Sequence, residues 1–111
     1  MNVAEIEFNL DRKLYKRGAD LLESKGLLDL REDEYEELVF NGTFSEKDER
    51  IWAEIVLDDD LEIEDVFCTC DEDEDFCPHV VATLIGASAM TLTDTKDFQS
   101  ALTILLNDLE L

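Results

Sequence analysis

Cys68-Thr69-Cys70, then Asp71-Glu72-Asp73-Glu74-Asp75-Phe76, then Cys77-Pro78-His79: this one stretch holds all three cysteines and the only histidine of a 111-residue chain. Three thiols cannot all pair as disulfides, and a reducing compartment would leave them free. Three soft thiolates and one imidazole are the ligand set of a tetrahedral structural zinc site. Taken singly, each residue has an ordinary explanation. A histidine at a helix start is more often a cap or surface residue, and a cysteine in a strand is more often core. Together at this spacing, Cys68, Cys70, Cys77 and His79 predict one zinc ion.

The spacing also constrains the local backbone. Side chains at i and i+2 of a flat strand share a face but lie about 6.6 Å apart. Thiolates on one zinc at about 2.3 Å must approach to roughly 3.8 Å. The strand that carries Cys68 and Cys70 is therefore expected to bend or bulge at Thr69. Positions i and i+2 of a helix point in different directions, so Cys77 and His79 must straddle a helix start. Cys77 then lies outside the regular helix, and Pro78 sets its first turn, where the missing N–H is not needed. The site carries net negative charge with three thiolates, which the positive end of a helix favours.

Working outward, Pro78 to about Met90 is apolar nearly all round and reads as a buried helix. Residues 10–24 read as an amphipathic helix. Leu14, Gly18, Leu21 and Leu22, with Tyr15 beside them, form one stripe, and Arg12, Lys13, Lys16 and Arg17 take the other side. Gly26 is a stop signal. Gly18 within the helix costs about 1 kcal/mol relative to alanine, which points to close approach of another backbone. Four candidate strands lie between the helices: Leu27 to Arg31, Tyr35 to Phe40, Ile51 to Leu57 and Glu62 to Cys70. Asn41-Gly42 reads as a turn after the second. Short connections favour an antiparallel meander. A last helix from about residue 96 to 110 carries Phe98, Ala101, Leu102, Leu105, Leu106 and Leu109, capped by Asp94 or Thr95. The expected class is α+β: an N-terminal helix, an antiparallel sheet of about four strands, and a C-terminal helix. One domain is expected over 1–111.

Charge narrows the function classes. Thirty acids against nine bases give a net charge of -21, while 45% of residues are apolar, so a small core is within reach. No apolar run approaches the roughly 20 residues of a membrane span, and no signal peptide is recognisable. A soluble, cytoplasmic protein with no membrane partner is expected. Between Arg50 and Lys96 there is no lysine or arginine, and acids run from Glu54 through Asp58-Asp59-Asp60 and Asp71–Asp75 to Asp94. Such a block is a solvated loop or an acidic face for a basic partner. An EF-hand calcium loop does not fit, because its glycine and distal glutamate are missing.

The pattern C-x-C-x6-C-x-H resembles the SWIM zinc finger. Upstream, Arg17-Gly18 with Leu21-Leu22 and Gly26 is similar to the R-G segment that precedes such fingers, and Phe40-Asn41-Gly42 is similar to their V-x-G turn. The His79-Val80-Val81-Ala82-Thr83-Leu84-Ile85-Gly86-Ala87 helix resembles the one that follows the ligands. The resemblance covers about residues 12 to 90. It implies a zinc-stabilised β-β-α finger with its core at about 51–90 and with Cys68, Cys70, Cys77 and His79 as ligands. It implies a DNA- or protein-binding role, as in fingers N-terminal to Swi/Snf-type ATPases. Two departures bear on this: Pro78 stands where the family often has lysine, and the ligand loop is acidic.

The expected function is thus a non-catalytic zinc module that contacts a protein with a basic surface, a helicase or ATPase domain among the candidates. The alternative is a nucleic-acid-binding finger that uses Arg12, Lys13, Lys16 and Arg17, which the overall charge disfavours. An enzyme is not expected. His79 is the sole histidine and is already assigned, no Gly-rich phosphate loop exists, and four protein ligands leave zinc no position for water.

Overall fold

The computed structural model describes residues 2–70 and 76–109. The acidic run Asp71–Asp75, which the sequence offers as a loop or an acidic face, lies outside the described residues. A short 3-10 turn (Val3–Glu5) leads into α1 (Ile6–Asn9) and α2 (Arg12–Glu23). β1 (Leu27–Glu32), β2 (Val39–Glu46), β3 (Glu49–Leu57) and β4 (Ile63–Cys68) form one antiparallel sheet in chain order. α3 (Pro78–Thr93) and α4 (Phe98–Leu109) follow. The expected α+β class, with an antiparallel sheet between N- and C-terminal helices, is what the chain adopts. Among the described residues, no helix is long and apolar enough to cross a membrane.

The core forms around α3, because that helix has no polar side to give to water. Val80, Val81, Ala82, Leu84, Ala87 and Met90 are all buried. One side of the helix lies on the inner face of the sheet, made by Leu30, Phe40, Phe44, Ile51, Ala53, Ile55 and Leu57. Phe98 and Ala101 of α4, together with Val3 and Ile6, join the same core. α2 covers another side of the helix. Gly18 is where it crosses: a Cβ there would sit 2.9 Å from the Ala82 backbone nitrogen and would overlap Val81. The close approach expected from a glycine inside a helix is thus real, and its partner is α3. Asp11 starts α2 by accepting the Lys13 N–H (2.8 Å).

Several expected boundaries move. Asn41-Gly42 is not a turn; it lies inside β2, with Gly42 paired to Leu30 on one side and Ala53 on the other. The glycine serves the helix above it, since a Cβ there would come within 2.5 Å of Thr83 Oγ1. The hairpin turn falls instead at Lys47-Asp48, where φ is 51° and 66°, the backbone of a type I′ turn built without glycine. Tyr35, expected in a strand, lies in the β1–β2 connection and is 90% exposed. α4 begins at Phe98. Asp97, rather than Asp94 or Thr95, accepts the Ser100 N–H (3.1 Å), while Asp94 ends α3 in the left-handed region (φ 54°). The side chain of Leu109 lies outside those described.

Gly18→Ala sets two effects against each other. Helix propensity alone favours alanine by about 1 kcal/mol. The crossing leaves no room for the methyl, and overpacking of this kind costs about 1–3 kcal/mol. Chemical denaturation is expected to show Gly18→Ala less stable than the parent, and a stabilised variant would refute the crossing.

Candidate metal centre

The four candidate ligands arrive from two elements whose ends meet at one corner of the sheet. Cys68 is the last residue of β4 and pairs with Ala53, so its side chain faces α3. At Thr69 the chain leaves the ladder: the Thr69 N–H still donates to Trp52 O (3.0 Å), but its side-chain Oγ1 accepts the Trp52 N–H (3.0 Å). The threonine hydroxyl takes the place of a backbone carbonyl, and the freed chain bends at Cys70. This is the bend that the Cys-x-Cys spacing requires. Cys77 is the N-cap of α3, extended at φ -69° and ψ 166°, and Pro78 opens the first turn. His79 follows on the helix proper, so the pair straddles the helix start as expected.

The result is a compact cluster. One ligand atom from each of Cys68, Cys70, Cys77 and His79 lies within 4.8 Å of all the others, a group able to hold one metal ion. Cys77 Sγ and His79 Nδ1 are already 3.8 Å apart, about the edge of a zinc-centred tetrahedron. The cluster sits mostly away from water, with Cys77 1% and His79 4% exposed.

A fifth residue completes the arrangement, and the sequence motif does not contain it. His79 Nε2 lies 2.9 Å from Glu46 Oε2, at the end of β2. Phe44, two residues earlier on the same strand face, meets the imidazole edge-on with centroids 5.2 Å apart. Together they fix the ring so that Nδ1 faces the sulfurs and Nε2 donates to the carboxylate, a carboxylate–histidine pair of the kind that orients metal-bound histidines. Only the folded register of β2 brings Glu46 here. A glutamate preceding a Lys-Asp turn carries no signal of its own.

Protons compete with a metal for these atoms. The hydrogen bond from Cys68 does most to hold the Cys77 thiol far below its ordinary value, with His79 assisting against burial. The same hydrogen bond, with burial added, pushes the Cys68 thiol far up. His79 rises to about 9, chiefly through its hydrogen bond to Cys77 and then, against burial, through Glu46. A negative sulfur beside a positive imidazole is thus favoured until a cation displaces the protons of Cys68 and His79.

Comparison with protein-family models, curated proteins and solved structures finds no match, so the candidate metal centre rests on its own geometry.

Two outcomes are expected. Because His79 keeps its proton up to about pH 9, metal entry must expel it at lower pH. Apparent zinc affinity therefore rises with pH through the window below about 9, by roughly tenfold per unit for each proton released. Isothermal titration calorimetry in buffers of different ionisation enthalpy counts those protons. Glu46→Ala should weaken zinc binding about 10–100-fold without changing its stoichiometry. Unaltered affinity in a competition titration with a chromophoric chelator would remove Glu46 from the site.

Proposed function

We propose that this chain is a zinc-stabilised, non-catalytic interaction module. The observation that carries the proposal is the convergence of three cysteines and one histidine within 4.8 Å at the junction of β4 and α3. Sulfur-rich donor sets favour zinc over the harder cations, and four protein ligands close its coordination sphere against water or substrate. Such a metal acts on the fold. Structural zinc supplies about 10–16 kcal/mol of apparent binding energy at neutral pH, as much as the whole stability of a typical domain.

The partner proposed is a protein with a basic surface. Support comes from the net charge of -21 and the absence of any base between Arg50 and Lys96. The SWIM resemblance adds the ATPase or helicase domain of a Swi/Snf-type protein as a candidate of this kind. A second reading has one observation in its favour: Arg12, Lys13, Lys16 and Arg17 are all exposed on α2. Four cations on an otherwise acidic chain would give nucleic-acid contacts that are weak and strongly salt-dependent.

Chelation of the metal, or Cys70→Ser, is expected to disorder residues 62 to 90, with loss of near-UV circular dichroism and a large fall in melting temperature. Spectra and melting that are unchanged after stripping would refute a structural metal. Fluorescence anisotropy with labelled duplex and single-stranded DNA at low salt decides between partners. The protein reading expects no saturation, whereas tight saturable binding would favour nucleic acid.

A further inference from the structure

α3 and α4 pack on the inner face of the sheet, while on the outer face Trp52, Asp65 and Phe67 are exposed. On β3 the buried positions are Ile51, Ala53, Ile55 and Leu57, so Trp52, Glu54 and Val56 face outward. On β4, Val66 and Cys68 turn inward and Asp65 and Phe67 outward. Cross-strand register pairs Glu54 with Phe67 and Val56 with Asp65, which puts Trp52 diagonally beside Phe67. The two rings are 5.6 Å apart between centroids and tilted by 60°. They shield each other only in part, since Trp52 is 38% and Phe67 52% exposed. Adjacent exposed aromatic rings are a costly use of surface in a small domain and are the usual anchors of protein contacts.

The surroundings of the rings select a cation. Glu54 and Asp65 flank Phe67 on the same face, and no lysine or arginine occurs in β4 or in β3 beyond Arg50, which lies on the side of Trp52 away from Glu54. Asn41, paired across from Glu54, carries a buried Oδ1 with no hydrogen-bond partner, and Arg31, the next cation on this face, lies beyond it on β1, two strands from Glu54. Aromatic faces and carboxylates both attract a guanidinium, whose plane stacks on a ring while its N–H groups reach an acid. Strand addition at the β4 edge is a poorer fit, because the Val66 N–H already donates to Asp65 Oδ1 (3.0 Å).

We propose that the Trp52–Phe67 ring pair, flanked by Glu54 and Asp65, is the docking site for an arginine-bearing segment of a partner protein. The proposal rests on the reading of the chain as an interaction module and names the surface and the chemistry that the reading lacks.

The chain has a single tryptophan, so Trp52 emission reports on the site directly. Titration of the full zinc-loaded chain with an octa-arginine peptide at physiological salt is expected to give a saturable change in that emission. Phe67→Leu keeps apolar bulk and removes the ring, and it should weaken binding about fivefold. Glu54→Gln with Asp65→Asn should cost at least as much. Glu34→Gln with Glu36→Gln removes equal charge from the exposed β1–β2 connection and should leave affinity within about twofold, given the screening of distant charges. The site is overturned if Phe67→Leu binds as tightly as the parent. It is overturned equally if the Glu34/Glu36 variant loses as much as the Glu54/Asp65 variant, the mark of diffuse attraction to an acidic chain. Zinc content measured on the same samples separates this from the metal reading. Ring-dependent binding by a zinc-free chain upholds the docking site and removes the metal, while one zinc per chain without a Phe67 effect does the reverse.

Discussion

The first turn of α3 meets the end of β4 through the side chains at their junction, and the helix that starts there carries the core of the fold. α3 is apolar nearly all round, and from Pro78 to Met90 none of its residues is exposed. Cys77 and His79 lie at its N-terminus against Cys68 and Cys70, which fixes where the helix enters the fold. From there its length runs across the inner sheet face. Gly18 lets α2 close on one flank, and Gly42 lets the sheet come up beneath Thr83. Thr83 in turn donates to the His79 carbonyl (2.8 Å), which ties this packing back to the first turn.

The same junction organises polarity. One sheet face is consumed by the core, and its far end supplies Glu46 and Phe44 to position the His79 ring. The other face carries Trp52, Phe67, Glu54 and Asp65 into solvent. The alternation of its side chains divides β4: Cys68 turns toward the Cys/His cluster, and Phe67, its neighbour, turns away from it. A change in strand register by one residue would exchange them. On the proposed reading, a metal that locks the end of β4 also fixes the outer ring pair.

Much of this was legible from the sequence because the signals are strong and local. The Cys-x-Cys and Cys-x-His pairs stated much of their own geometry: the bend expected at Thr69 falls at Cys70, once Thr69 has left the ladder, and Cys77, expected outside the regular helix, is its N-cap. The apolar stripe of α2 and the alternation in β3 survived folding, as did the inference from Gly18. What was hidden was decided over longer distances. Asn41-Gly42 looks like a hairpin turn, but the packing of α3 over Gly42 and the pairing of β2 with both neighbours keep it in the strand. Lys47-Asp48 turns the chain with no glycine to announce it. Val3 and Ile6 form too short a segment for periodicity, yet they are buried (0% and 3% exposed). Glu46 becomes part of the site only through a contact 33 residues along the chain.

On the proposed reading, three sulfurs and one imidazole nitrogen hold one metal ion. Zinc K-edge X-ray absorption on the purified chain reads that shell directly. Three Zn–S distances of about 2.3 Å and one Zn–N distance of about 2.0–2.1 Å are expected, with outer-shell scattering from an imidazole ring. A shell of oxygen and nitrogen alone, or one with fewer than three sulfurs, would contradict that reading.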